Sequence, residues 1–388
     1  DIALSWLVYR LTGSAFLLGA VIFCKQIPNF LLGPATGLVA DRYNKRRVII
    51  TMQMMAMLQA AMLAILVLTD QIQVWQIFCL SFLLGVGNAF DITARQSFII
   101  DMVDEPGDLN NAIALNSITF NVARLIGPSI AALLLAFLGE GVCFLINAVS
   151  FLGVIAALLA MHIPPKEGQL NEEKKSVFHE MQEGYLYAYQ FPPIRYTLLL
   201  VGLVSFMGLP YTVLMPIFVT EVFFEGPELL GLLMGSIGLG AICGAAFLAS
   251  RPNVAGLENM IPLATGVFGI ALLTFSQTKL VWLAFVILFF AGLGMILQSA
   301  SSNTLLQTVV EDDKRGRIMG LFSMANSGML PFGSLLAGFL ANQIGAPATA
   351  FIGGLSCLIG ALLFANRLPK IREYLNLIYV RLGIIQNE

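Results

Sequence analysis

The sequence predicts an all-α membrane protein: twelve transmembrane helices in two pseudo-symmetric six-helix bundles, the first helix incomplete at its N-terminus. Three observations predict it. The 388 residues are 58% hydrophobic and only 11% charged, where a soluble domain carries about a quarter charged residues. Mean hydropathy is +0.84, and at roughly 20 apolar residues per crossing this leaves room for about a dozen spans. Basic residues gather on alternate loops, and segments of the second half repeat the first.

Breaking the apolar runs at polar turns gives the first six spans as 1–11, 15–40, 47–69, 73–94, 112–137 and 141–162. The chain opens on DIALSWLVYR, without the basic stretch of a leader peptide. Its run of about ten residues before the LTGS turn is too short to cross, so the first helix is expected to lack its N-terminal half. Residues 163–192 form the one long polar segment. Within it Val177, Phe178, Met181 and Tyr185 share one helical stripe, the pattern of an amphipathic helix on a membrane face. The second bundle, 193–366, follows as 193–219, 228–250, 258–276, 279–301, 317–341 and 346–366. A tail, 367–388, repeats the amphipathic pattern with Ile371, Leu375, Ile378 and Leu382.

Duplication accounts for the six-plus-six division. RQSFIIDMVDEPGDLNNAIALNS (95–117) resembles SNTLLQTVVEDDKRGRIMGLFS (302–323). Downstream, LIGPSIAALLLAFLG (125–139) runs in register with PFGSLLAGFLANQIG (331–345), setting Gly127 opposite Gly333. Orientation follows from charge. Of 21 lysines and arginines, only Arg10 and Lys279 fall on one set of loops, and Lys25 and Arg124 fall inside spans. All others fall on the opposite loops and the tail, which makes that side cytoplasmic. The parity of the spans then puts both termini inside.

The loop GLVADRYNKRR (37–47) resembles the loop between helices two and three of the major facilitator superfamily, G-x-L-A-D-R-x-G-R-R/K. Gly37, Asp41, Arg42, Lys45 and Arg46 match by type, while Val39 and Asn44 depart from it. Asn tolerates a left-handed turn better than most residues, so it is expected to stand in for the glycine. WLVYRLTGSAFLLG (6–19), AFDITARQSFIIDMV (89–103) and RLIGPSIAALLL (124–135) are similar to the bacterial branch that includes siderophore exporters and macrolide-type efflux pumps. Gly127–Pro128 also matches part of an antiporter motif of that superfamily, with Ala123, Ala131 and Ala132 where the motif has glycines.

The resemblance implies a secondary transporter of the bacterial cytoplasmic membrane working by alternating access. It implies a gating role for Gly37, Asp41, Arg42 and Arg46, with Asp41 at the N-terminus of helix eleven and the two arginines orienting it. Asp91 and Arg95, four apart at the cytoplasmic end of helix four, are expected to pair and to belong to the same gate.

Ionisable groups inside a bilayer are costly and face a cavity or a partner. Lys25 stands alone in IFCKQIPNFLL (22–32), and with Asp1 it lies about 17 Å from the first outer turn, near the midplane. Arg124 lies at similar depth, with Asn121 one turn before it. The second half offers polar groups only, among them Gln298 and Asn326. Lys25, Arg124, Asn121 and Gln298 are therefore candidate substrate contacts, and Asp1 is the candidate proton-coupling acid.

A cationic cavity suits a small amphipathic or anionic substrate, a siderophore or drug, exported against protons. Lysophospholipid handling by the same fold is the alternative. The expected partners are that substrate, protons and the bilayer, with the chain acting as a monomer. A net charge of −2 offers nothing to nucleic acid. No H-E-x-x-H, G-x-S-x-G or Walker pattern points to an enzyme, and no cofactor or metal is expected. His162 and His179 lie in or beside the polar linker, and the five cysteines sit unpaired in apolar runs as packing residues.

Overall fold

A computed structural model describes residues 2–103, 108–161, 185–251 and 254–381. Among these residues there is no strand; the chain is helical almost throughout. It opens with α1 (Ile2–Thr12), α2 (Ala15–Arg42), α3 (Lys45–Leu68), α4 (Val74–Asp101) and α5 (Leu109–Ala160). Residues 185–190 are helical. Then come α6 (Pro192–Leu203), α7 (Tyr211–Ile217), α8 (Pro227–Ala249), α9 (Leu257–Gln277), α10 (Val281–Val309), α11 (Asp312–Ser323), α12 (Leu330–Ile344) and α13 (Ala346–Arg381). Short π-helical turns at Val204–Gly208, Phe218–Val222 and Met324–Gly328 follow α6, α7 and α11 without interrupting the helical path.

Ten helices among the described residues are long and apolar enough to cross a membrane, and α1 is a shorter apolar helix. This is a multi-pass membrane protein. The 52 residues of α5 would reach about 78 Å as one straight helix, far beyond a hydrocarbon core of about 30 Å. Gly139 resolves this: at φ 77°, ψ 172° it is non-helical and divides α5 into two arms. The two arms fall on the two spans expected at 112–137 and 141–162.

Gly139 also ties the halves together. Its counterpart in the sequence repeat, Gly345, separates α12 from α13 at φ 84°, ψ 158°. Both sit in a backbone region essentially restricted to glycine. The repeat therefore preserves a conformation as well as a pattern.

The chain divides into two compact units, residues 1–173 with 226–231 and residues 174–225 with 232–388. In the first, α2 packs on α4 while α3 packs on α4 and α5. In the second, α9 packs on both α10 and α13, and α6 on α13. Glycine permits the closest approaches, as is usual between membrane helices. A Cβ built at Gly292 of α10 would lie far inside contact distance of the Ile237 carbonyl of α8, and one at Gly240 of α8 equally close to that of Phe289.

Several helices run past their apolar limits. α4 continues to Asp101 where hydropathy ends near 94, and α10 continues to Val309 where it ends near 301. Hydropathy marks where the bilayer stops, not where backbone hydrogen bonding stops. The tail differs from the expectation of a helix lying on the membrane face. α13 runs unbroken through Pro369 to Arg381. Its Ile371, Leu375 and Tyr379 are buried against Leu200, Ile261, Leu305, Val309 and Phe364 of the same unit. Leu382, and the stripe from Val177 to Met181, lie outside the described residues.

Candidate functional site

Lys25 stands ten residues into α2, roughly 15 Å along the helix from its start. Its side chain is half-buried. The main chain at this level is fixed by α4: a Cβ at Gly85 would collide with the Lys25 carbonyl and touch Pro28 at 3.0 Å. The next-door Cys24 thiol donates to the carbonyl of Phe78 at 3.7 Å. Helix α2 cannot slide or rotate here without losing its seat on α4, so the Lys25 main chain is held in a defined register with α4.

The other candidates are distributed as follows. Asn121 and Arg124 lie one turn apart on the first arm of α5, with side chains outside the described residues. Asp1 is also outside them. Gln298 sits on α10, only 2% exposed, and its amide nitrogen has no hydrogen-bond partner among the described residues. An unsatisfied amide in that setting costs free energy comparable to a lost hydrogen bond.

Near Gln298 the second unit contains a polar node that joins three elements. Ser205, in the first π turn, donates its hydroxyl to the main-chain carbonyl of Asn326 at 2.8 Å. The Asn326 side-chain oxygen accepts from Ser299 of α10 at 3.2 Å. Ser205 and Asn326 both lie in π-helical turns, which occur frequently at functional sites. Asn326 is visible in the sequence as a polar group in an apolar run. Ser205 and Ser299 carry no such signal, because a serine in a membrane helix ordinarily bonds its own preceding turn.

The gate residues form a second group. Gly37, Asp41 and Arg42 belong to the last turns of α2, and the side chains of Asp41 and Arg42 lie outside the described residues. Just before them, Thr36 is 2% exposed and accepts a hydrogen bond from Thr93 of α4 at 3.0 Å. Asn44 does not adopt the left-handed backbone expected of a glycine substitute. It has φ −59° and caps α3, its side-chain oxygen accepting from the amide of Arg47 at 3.1 Å. The departure from the motif thus becomes a helix start, a role asparagine performs well.

Arg46 donates to the carbonyls of Leu158 and Leu159 at 2.6 and 2.8 Å. These belong to the last turn of α5, where carbonyls lack helical partners and a cation meets the negative end of the dipole. Among its described contacts Arg46 therefore anchors the end of a helix. Asp91 and Arg95 of α4 form an ion pair, with contacts at 3.1 and 3.2 Å. Gln53 of α3 donates to the same carboxylate at 2.9 Å. At the other end of the unit Arg10 pairs with Glu140 at 2.6 Å, one residue past the Gly139 break.

Gly127 and Pro128 leave helical dihedrals intact, since within α5 only Gly139 is non-helical. A Cβ at Gly127 meets nothing within 4 Å. The five cysteines are free thiols, two of them exposed and only Cys357 fully buried.

This architecture has relatives. A family model described as transmembrane secretion effector matches residues 1–378. The staphyloferrin A transporter of Staphylococcus aureus is 29% identical, over 96% of this chain and 93% of its own length. The multidrug efflux pump Tap of Mycolicibacterium fortuitum is 26% identical over 96% and 92%. Among solved structures, a variant of the nucleoside transporter NupG superposes with a TM-score of 0.74 at 14% identity, covering 94% of each chain. With the model spanning nearly its whole length, the chain belongs to the transmembrane secretion effector family within the major facilitator superfamily, and is a transporter, not an enzyme.

Proposed function

We propose that this protein exports a small amphipathic molecule bearing at least one anionic group, coupled to proton entry and working by alternating access. The observation that carries this is Lys25: a half-buried cation in the middle of an apolar span, on a helix held in register by close contact with α4. A cation in that position is retained for a partner, a relay or a substrate. The names of relatives, a siderophore transporter and a multidrug efflux pump, are in keeping with export of small molecules.

In this reading Lys25 and Arg124 attract the substrate's anionic group, and Asn121 and Gln298 supply hydrogen bonds. Asp1 takes up and releases the coupling proton. Gly37, Asp41, Arg42, Arg46, Asp91 and Arg95 set the balance between the two facing states, through contacts made in one state and lost in the other. The protein acts as a monomer in the bacterial cytoplasmic membrane with both termini in the cytoplasm, because the basic loops lie on that side.

Transport by the purified protein in vesicles, with and without a proton gradient, against siderophores, drugs and neutral amphiphiles tests this. Gradient-dependent movement of anionic compounds is expected. Movement indifferent to the gradient removes proton coupling, and a preference for neutral compounds removes the role of Lys25.

A further inference from the structure

Where α6 begins and α13 leaves its apolar run, two guanidinium groups share one aromatic ring. Arg195 lies over Tyr196 at 5.3 Å and over Tyr189 at 4.7 Å. Arg367 lies over the same Tyr196 ring at 5.8 Å. The ring itself is fixed, since Tyr196 packs on the buried cluster of Leu200, Phe364 and Ile371. Among the described residues neither arginine has a carboxylate within ion-pair distance. The nearby Lys314 contrasts with them: it lies over Tyr187 at 4.6 Å and is paired with Glu311 at 2.5 Å.

Two like charges on one ring repel each other, and a cation–π contact contributes little at an exposed position. An anion between them removes that repulsion, and guanidinium groups fit phosphate oxygens in paired hydrogen bonds. The depth identifies the anion. Arg195 is in the first turn of a span beginning at Pro192, and Arg367 follows the apolar run of 346–366. Tyr187 and Phe191 stack at 6.2 Å, and Phe191 meets Tyr374 edge-on at 5.6 Å. Tyrosines gathered at the end of apolar spans mark headgroup level.

We infer that this end of the second unit binds the phosphate of an anionic membrane phospholipid, with Arg195 and Arg367 as its cationic arms and Tyr189 and Tyr196 as its floor. The acyl chains of such a lipid lie along the apolar faces of α6 and α13, and basic pockets between helices at headgroup level hold lipids in this way. Its four residues are none of those assigned above to substrate, proton or gate, so it needs no assumption about the exported substrate.

Titration of the purified full-length protein with phosphatidylglycerol or phosphatidylethanolamine, with bound lipid counted by native mass spectrometry, tests it. Phosphatidylglycerol is expected to bind more tightly, and Arg195→Ala with Arg367→Ala to weaken it about tenfold or more. Arg195→Lys with Arg367→Lys keeps the charge, loses the stacked planar donors and should fall between. Lys279→Ala, on the opposite set of loops, should change nothing. Equal binding of the two lipids overturns the proposal, as does wild-type binding by the alanine pair. Displacement by glycerol phosphate at the lipid's own concentration also overturns it, by showing a site for free anions. Should the alanine pair not remain monodisperse, the lysine pair decides: unchanged lipid affinity refutes the site and reduced affinity supports it.

Discussion

The hydroxyl of Ser205 donates to the main-chain carbonyl of Asn326 at 2.8 Å, joining two π-helical turns on different helices of the second unit. A π turn leaves carbonyls that the regular ladder does not satisfy, and a side chain from a neighbouring helix can fill that vacancy. Ser205 is 1% exposed, so no water replaces it. Ser205→Ala is expected to cost about 1–3 kcal/mol, the penalty for orphaning a buried acceptor. Ser299→Ala breaks only a longer bond between partly exposed side chains and should cost about 1 kcal/mol or less. Thermal unfolding in detergent distinguishes them; equal losses would mean that Ser205 does not support the π turn.

Lys25 is the residue on which the proposed substrate class depends. Lys25→Ala should weaken transport of an anionic compound far more than that of a neutral one, while Lys25→Arg should preserve part of the difference. Because the Lys25 main chain is clamped by Gly85, the alanine variant is expected to keep the fold, and its unfolding temperature checks this. Equal loss for both compounds would make the lysine a structural brace.

Asp91 is held by Arg95 on its own helix and by Gln53 on α3, so it fixes the spacing of α3 and α4 at one end of the first unit. If this network belongs to the gate, Asp91→Asn should change the turnover number with little effect on apparent substrate affinity. An interaction made in only one conformational state acts on rates and populations. A rise in apparent KM with unchanged turnover would place Asp91 in the substrate site instead.

Gly139 and Gly345 show how far the sequence could be read. Their alignment in the repeat was visible, and each breaks its chain at the same backbone conformation. The spans were legible for a related reason: hydropathy reports the thickness of the bilayer directly. Lys25 was legible because a cation in an apolar run violates that pattern. Ser205 and Ser299 were not, because partnership across helices depends on rotation about helix axes, which a pattern of small polar residues does not specify. Gly139→Ala should cost about 1–3 kcal/mol through backbone strain. Gly127→Ala, which meets open space, should be neutral or slightly stabilising through helix propensity. Comparable losses at both positions would disprove the distinction.

The tail tests the limits of periodicity most directly. A stripe at helical spacing shows that one face is apolar, but not whether that face meets lipid or the protein's own core. Here Ile371 and Leu375 are fully buried and Tyr379 is 2% exposed, and the Tyr379 hydroxyl donates to the buried Glu258 of α9 at 3.4 Å. Leu375→Ala should therefore cost about 2–5 kcal/mol, as for a leucine removed from a packed core. Glu373→Ala, half a turn away on the exposed face, should cost about 0.5 kcal/mol or less. A chain ending at Arg367 would expose Leu200, Ile261 and Leu305 and lose monodispersity in detergent. A tail lying on the membrane surface predicts the opposite: both point variants near neutral, and the shortened chain as stable as the full one.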